Sequence, residues 1–350
     1  IFYISFILLF TVCRKEIDGT KSNSSLKYLI GGNSDKVSKI EKTKDGGFIY
    51  CGYTIGSFNE KNAFMMKVDL NGKKEWYKTY GGHNFDIFEH AIECADGGFI
   101  AVGQTNSFGK GFTGGNQILL DYVVKTNSKG ELEWQNSYIP FTSGEGKLLS
   151  VIESKDHHYY ATGGIYDSTT KNPGIFLIKL NATGSLAAPL AFFNDFKNYK
   201  PVPNLTPTFY EYGCHISFSA DGSLLIGGVM SYDSFPLPPP SKAVARKNNL
   251  LNFLLSIDAT NFKTINFFQY YNQFIRSAGY LTESHRIPNI KVIASADGYF
   301  IGTFFPLSLT EVNMQLNKTD LNGNLLWEKK YRGLGQAVFY DMQKLSDESL

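Results

Sequence analysis

The stretch KIEKTKDGGFIYCGYT, Lys39 to Thr54, followed by NAFMMKVDLNGKKEWYKTYGG, Asn62 to Gly82, recurs with drift along the chain and decides how the rest is read. Its first half carries an Asp followed seven residues later by Gly: Asp45 and Gly52, Asp96 and Gly103, Asp156 and Gly163, Asp221 and Gly228. A fifth copy opens at Asp297 in ADGYFIG, and a sixth at Asp347. The second half carries a turn, at Asn71-Gly72, Lys129-Gly130, Thr183-Gly184, Thr260-Asn261 and Asn322-Gly323. The three tryptophans, Trp76, Trp134 and Trp327, each stand four residues past a Gly of that turn.

Around each turn run four to seven apolar or alternating residues, such as FIYCGY, FIAVGQ, YVVKT and FLIKL. Short β-branched and aromatic runs punctuated by Asp-Gly and Asn-Gly read as strands joined by tight hairpins. The central turn residues are expected at positive φ, which Gly takes freely and Asn or Asp tolerate. Each copy then supplies four antiparallel strands, here lettered A to D, with the Trp on D. A unit of about 50 residues that cannot bury both faces alone, repeated in tandem, predicts an all-β fold, a β-propeller of four-stranded antiparallel blades. The Trp is expected to pack between neighbouring blades, with ligand stacking as the competing role. Asp45, Asp96, Asp221 and Asp297 are read as structural residues of the repeat.

The composition agrees. Of 350 residues 43% are hydrophobic and 15% aromatic, enough for a large core, and 34 glycines suit many turns. A net charge of +2 without a long Lys/Arg block argues against a nucleic-acid partner.

Ile1 to Val12 is an apolar run too short to span a bilayer and suited to the core of a signal peptide. Cys13 follows at once, an arrangement that resembles a bacterial lipoprotein signal and implies lipidation of Cys13. Export with a lipid anchor in the cell envelope, at the outer membrane or in the periplasm, is therefore expected, with plain secretion or an unprocessed cysteine as the alternatives. Residues 1–13 are read as the signal, 14–25 as a flexible tether and 26–350 as a single propeller domain. SLKYLIGG, Ser25 to Gly32, matches the D strand EWYKTYGG and is expected to close the last blade. Five complete blades follow, and a sixth starts at Gln336 and breaks off at Leu350, so the propeller is expected to continue in a longer chain. Cys51 and Cys94 align with Val102 and Thr43 of other copies and read as strand fillers.

In an up-and-down blade the A-B and C-D turns share one end, and the B-C loops and D-A links share the other. The length variation falls in the B-C loops of blades 2 and 4 and in the links into blades 4 and 5, all at the second end. Long loops gathered at one end of a rigid scaffold are the usual seat of binding. The candidates are Tyr199, Tyr210 and Tyr212 before blade 4, and Tyr232, Asp233, Phe235, Arg246 and Lys247 within it. Arg276, His285 and Arg286 precede blade 5. Aromatics beside Arg and Lys suit a glycan or a peptide carboxylate. The competing reading is drifted surface connections with no ligand.

No other constellation carries chemistry. Asp35 and Asp86, just after the Gly-Gly of the link, read as backbone-bonding residues. The six histidines show no metal-ligand spacing, and no nucleophile motif or cofactor site is found. The DxNGxxxW stretch differs in spacing from the Asp-box of sialidase-like propellers, and no sialidase activity is carried across.

The motifs DGGFIxxGxT, KxDxNGxxxW and the trailing YGG resemble those of β-propeller lipoproteins of the Bacteroidota, with delta-60 or quinoprotein-like repeats. The resemblance covers Ser25 to Leu350, although blade 3 lacks the Trp and blade 4 lacks both Gly and Trp at the second turn. It implies an envelope-anchored, non-catalytic binding or scaffold protein and no particular ligand; beside it, the loop residues lead to the expectation of a monomer that binds a glycan, peptide or protein. A polysaccharide hydrolase or lyase on the same scaffold, and a structural part of an envelope complex, stand as alternatives.

Overall fold

The computed structural model describes residues 35–56, 60–108, 112–113, 116–117, 119–138, 144–167, 172–189, 191–193, 212–234, 247–271, 290–306, 311–334 and 342. Among the described residues there is no helix. The first sheet is β1 (Lys36–Lys42), β2 (Phe48–Ile55), β3 (Lys61–Val68) and β4 (Lys74–Tyr80). The second begins with β5 (Asp86–Glu93) and β6 (Phe99–Thr105). A small hairpin, β7 (Phe112–Thr113) with β8 (Asn116–Gln117), fills its long B-C connection before β9 (Leu120–Thr126) and β10 (Leu132–Tyr138) complete the sheet. The third is β11 (Gly144–Glu153), β12 (Tyr159–Asp167), β13 (Asn172–Leu180) and a short β14 (Ala191–Phe193). The fourth is β15 (Tyr212–Phe218), β16 (Leu224–Ser234), β17 (Lys247–Ile257) and β18 (Thr264–Tyr271). The fifth is β19 (Ile290–Ser295), β20 (Gly298–Pro306), β21 (Glu311–Thr319) and β22 (Leu325–Leu334). All five are antiparallel meanders, as repeated units of one design.

The first turns differ from the expectation in a way that explains their sequence. Thr43 N–H donates to Gly47 O and Gly46 N–H to Thr43 O, each at 2.9 Å, and the same pair of bonds recurs at Cys94, Ser154 and Ser219. This is a three-residue loop in which only the last position is left-handed: Gly46 at φ +85°, Gly97 at +80°, His157 at +59° and Gly222 at +86°. The Asp before it stays right-handed and uses its side chain instead. Asp45 Oδ1 accepts from Gly47 N–H at 3.0 Å and Thr43 Oγ1 at 2.6 Å, and its Oδ2 accepts from Lys67 Nζ at 2.7 Å. Lys67 is buried in β3 just before the second turn, so one ion pair ties both turns of its sheet together. Lys125 with Asp96 at 2.7 Å and Lys318 with Asp297 at 2.6 Å repeat the device. The bond from Lys67 leads in holding the Asp45 carboxyl well below the usual range.

The Gly seven residues after each Asp answers to a crowded backbone. A Cβ on Gly52 would stand 1.9 Å from Lys36 O, on Gly103 1.9 Å from Ile87 O, and on Gly163 1.8 Å from Lys147 O. Each lies opposite a β-bulge in the first strand of its sheet, where the extra residue presses the partner backbone close.

Successive sheets share apolar layers. Ile49, Cys51, Ala63 and Met65 of the first meet Phe88, Phe99, Ala101 and Val124 of the second. Cys94, Ile100 and Val123 of the second meet Leu148, Ala161 and Phe176 of the third. Leu177 and Ile175 of the third meet Ile226, Phe253 and Leu255 of the fourth, and Leu225 and Leu254 of the fourth meet Ile290, Val292 and Ile301 of the fifth. Burying one such side chain is worth about 1.5–3 kcal/mol, so these layers are the main force between sheets. Cys51 and Cys94 are buried free thiols within the first two layers.

Two tryptophans finish these layers at the turn end. Trp76 lies edge-on to Phe99 at 5.3 Å and donates Nε1–H to Ser128 O, in the second turn of the next sheet, at 3.2 Å. Trp134 lies against Tyr159 and donates to Ala182 O, the same turn position in the third sheet, at 2.9 Å. Trp327, on the fifth sheet, packs on Phe300 of its own sheet and is 37% exposed.

Candidate functional site

The loop end is the sequence-derived candidate, and the register of the fourth sheet gathers part of it. Tyr212 pairs with Val229, Tyr232 with Asn249, Asp233 with Asn248, and Lys247 with Ser234. Tyr212, Tyr232, Asp233 and Lys247 therefore share the end of that sheet opposite its Asp turn. Tyr199, Tyr210, Phe235, Arg246, Arg276, His285 and Arg286 lie outside the described residues, as does Cys13.

At the same end of the second sheet, Asp86 is fully buried and spends its carboxylate locally. Oδ1 accepts from Thr105 Oγ1 at 2.5 Å, and Oδ2 accepts from Ser107 Oγ at 2.7 Å and Gly82 N–H at 2.9 Å. This stitches the link before the sheet to the loop after β6. Asp121, opening β9, went unnoticed in the sequence. It is fully buried, neither carboxylate oxygen has a hydrogen-bond partner among the described residues, and burial pushes its carboxyl well above the usual range. A Cβ on Gly146 would stand 2.7 Å from both oxygens, so the missing side chain there is what admits the carboxylate.

A second constellation lies where the first strands converge. The residue six before each turn Asp is Lys39, His90, Ser150, His215 and Lys291, polar in all five sheets. In the first four sheets it follows a bulge, and in the second to fourth its side chain reaches the next sheet. His90 Nδ1 accepts from Val151 N–H at 3.0 Å, Ser150 Oγ accepts from Ile216 N–H at 3.2 Å, and His215 Nδ1 accepts from Val292 N–H at 3.4 Å. The donor is each time the residue one past the matching position of the following sheet. The first strand of a meander is an edge strand whose outward N–H groups have no ladder partner, and this column supplies acceptors for them.

The first and fifth sheets complete the column with charge. Glu41 Oε1 takes His90 Nε2 and Lys291 Nζ, each at 3.1 Å. With Nδ1 engaged as acceptor, the neutral His90 carries its proton on Nε2 and donates it to Glu41. Burial alone would raise the Glu41 carboxyl, but Lys291 and His90 outweigh it and hold it far below the usual range. Burial leads in lowering His90 and His215, and Lys291 and Lys39 push both the same way. The separation of the histidines along the chain matches no ligand motif. Aligning copies on the turn Asp is the signal that finds them. Among the described residues, no group of three or more His, Cys, Asp or Glu is placed to hold a metal ion.

No protein-family model matches the chain, and no curated protein matches it. Among solved structures, a crystal structure of a protein of unknown function from Dyadobacter fermentans DSM 18053 is similar over 87% of this chain and 96% of its own, at TM-score 0.39 and 10% identity.

Proposed function

We propose that the chain is a β-propeller binding module, exported and anchored to the envelope by lipid on Cys13, that takes a glycan, peptide or protein partner at its loop end and performs no chemistry on it. The observation that supports a ring is the 3.1 Å contact between Lys291 of the fifth sheet and Glu41 of the first. Sheets that pack in sequence, one to five, and whose first and last members also touch through their inner strands are arranged about a common axis.

The location of binding follows from how each end uses its polar groups. At the turn end Asp45, Asp96 and Asp297 are committed to buried lysines, and Trp76 and Trp134 to carbonyls of the next sheet. The long connections of the second and fourth sheets, and the links into the fourth and fifth, leave at the other end, and they carry the Tyr, Arg and Lys side chains suited to sugars and carboxylates.

The experiment is binding of the full exported protein to a glycan array and to solubilised cell-surface proteins. Tyr232→Ala, Arg246→Ala and Arg286→Ala should each weaken capture at least tenfold, while Asp45→Asn at the opposite end leaves it intact. Capture indifferent to all three loop substitutions would remove the proposal.

A further inference from the structure

We infer that the column of inner-strand side chains is an acid-sensitive latch: at neutral pH His90 joins the second sheet to the third and His215 joins the fourth to the fifth, and protonation of either imidazole releases its joint.

The geometry carries this. Each imidazole is buried, and each accepts a backbone N–H of the next sheet on Nδ1, at 3.0 Å for His90 and 3.4 Å for His215. An imidazolium has a proton on both nitrogens and accepts nothing, so charging the ring sets an N–H against the N–H of Val151 or Val292. The ring must then turn away or the inner strands must part. Around His90 stand Glu41 and Lys39 of β1, Lys291 of β19 and Ser150 of β11; the same two lysines, Glu41 and His90 act on His215. Glu41 favours the charged form of His90, but it is shared with Lys291 and already receives the Nε2 proton of the neutral ring. Burial and the lysines therefore prevail, and both groups titrate below the ordinary histidine range.

The sign is fixed by linkage. With the folded-state value depressed, the unfolded chain binds protons first, so the stabilisation is whole above the unfolded value near 6.5 and is lost as pH falls toward the folded value. Within that window each histidine lowers the folding constant by about tenfold per pH unit, and the pair by about a hundredfold. The latch is also selective. Between the third and fourth sheets the acceptor is the Ser150 hydroxyl, which does not titrate. Although its oxygen lies 3.4 Å from His90 Nδ1, it can turn its own proton aside and keep a lone pair on Ile216 N–H when that imidazole is charged, so the joint is an internal control.

Amide hydrogen exchange on the whole chain at pH 7.5 and 5, corrected for intrinsic rates, tests this. Val151 and Val292 should lose at least tenfold in protection at the lower pH while Ile216 keeps its own. Nitrogen-15 shifts of the imidazoles at pH 7.5 should show both rings neutral with the proton on Nε2. His90→Gln with His215→Gln offers an uncharged acceptor at both places and should flatten the stability profile between pH 7 and 5. Equal loss at all three amides, an Nδ1–H tautomer, or an unchanged pH slope in the double variant would overturn the latch.

Discussion

The joint between the second and third sheets and the joint between the third and fourth solve one packing problem with the bulk supplied from opposite sides. In the former, Trp134 comes from the strand and lies over Gly184 of the facing turn, at φ +78°, where a Cβ would meet the indole at 2.7 Å. The joint before it is the same, with Gly130 beneath Trp76. In the latter, Ala188 stands at the Trp position, and the facing turn is one residue longer and carries Phe262 at φ +58° in place of Gly. Phe262 meets Tyr160 edge-on at 6.4 Å, and Tyr160 OH donates at 3.4 Å to Ala259 O, the carbonyl that an indole N–H takes in the other two joints. Losing the large side chain on one sheet thus goes with gaining one on the next, and with tolerating a left-handed Phe to hold it. The void between sheets is what must be filled, and either surface can fill it.

The largest test of that contrast is Trp134→Ala, which should cost about 3 kcal/mol by the loss of a packed aromatic over a turn that offers no replacement. Urea midpoints at fixed m measure it. Gly184→Ala should cost about 2 kcal/mol in the parent chain and about 1 in the Trp134→Ala background, because the left-handed backbone strain and the Asn136 amide, 2.7 Å from the added Cβ, remain once the indole is gone. A cycle without coupling would mean that Gly184 serves its turn alone. Phe262→Gly should cost about 1 kcal/mol, less than Phe262→Ala, since Gly relieves the strain as the ring is lost. The smallest effect is at Lys179, which aligns with the turn-locking lysines but sits over the Tyr160 ring at 5.2 Å. Lys179→Met should cost about 0.5 kcal/mol, the low end for a cation–π contact, since Lys179 is only half-buried.

The five meanders were legible because each turn announces itself locally, through an Asp or Asn side chain that bonds its own backbone and a Gly at the left-handed position. Even the missing Trp of the third copy was visible. What replaces it was not, because Phe262 meets Tyr160 across about a hundred residues and no local pattern couples them. The inner column was half legible. A polar residue recurs six places before the turn Asp, yet its purpose depends on the unpaired N–H groups of a neighbouring edge strand, which only assembly brings near. Asp121 was illegible for a related reason, since its room comes from Gly146 on another sheet. At the loop end the register places Tyr212, Tyr232, Asp233 and Lys247 together, whereas their long-loop companions lie outside the described residues.

The two free thiols among the described side chains give the molecule its own stopwatch. Cys51 is sealed in the layer beneath Trp76 and Cys94 in the layer beneath Trp134, and burial leads in driving both thiols upward, Cys94 to about 12. Neither supplies an appreciable thiolate while its layer is shut, so alkylation at each sulfur is timed by the parting of one particular pair of sheets. Peptide mass mapping after a brief pulse of reagent would read the two intervals separately, ranking which part of the assembly breathes first without adding a label or changing a residue.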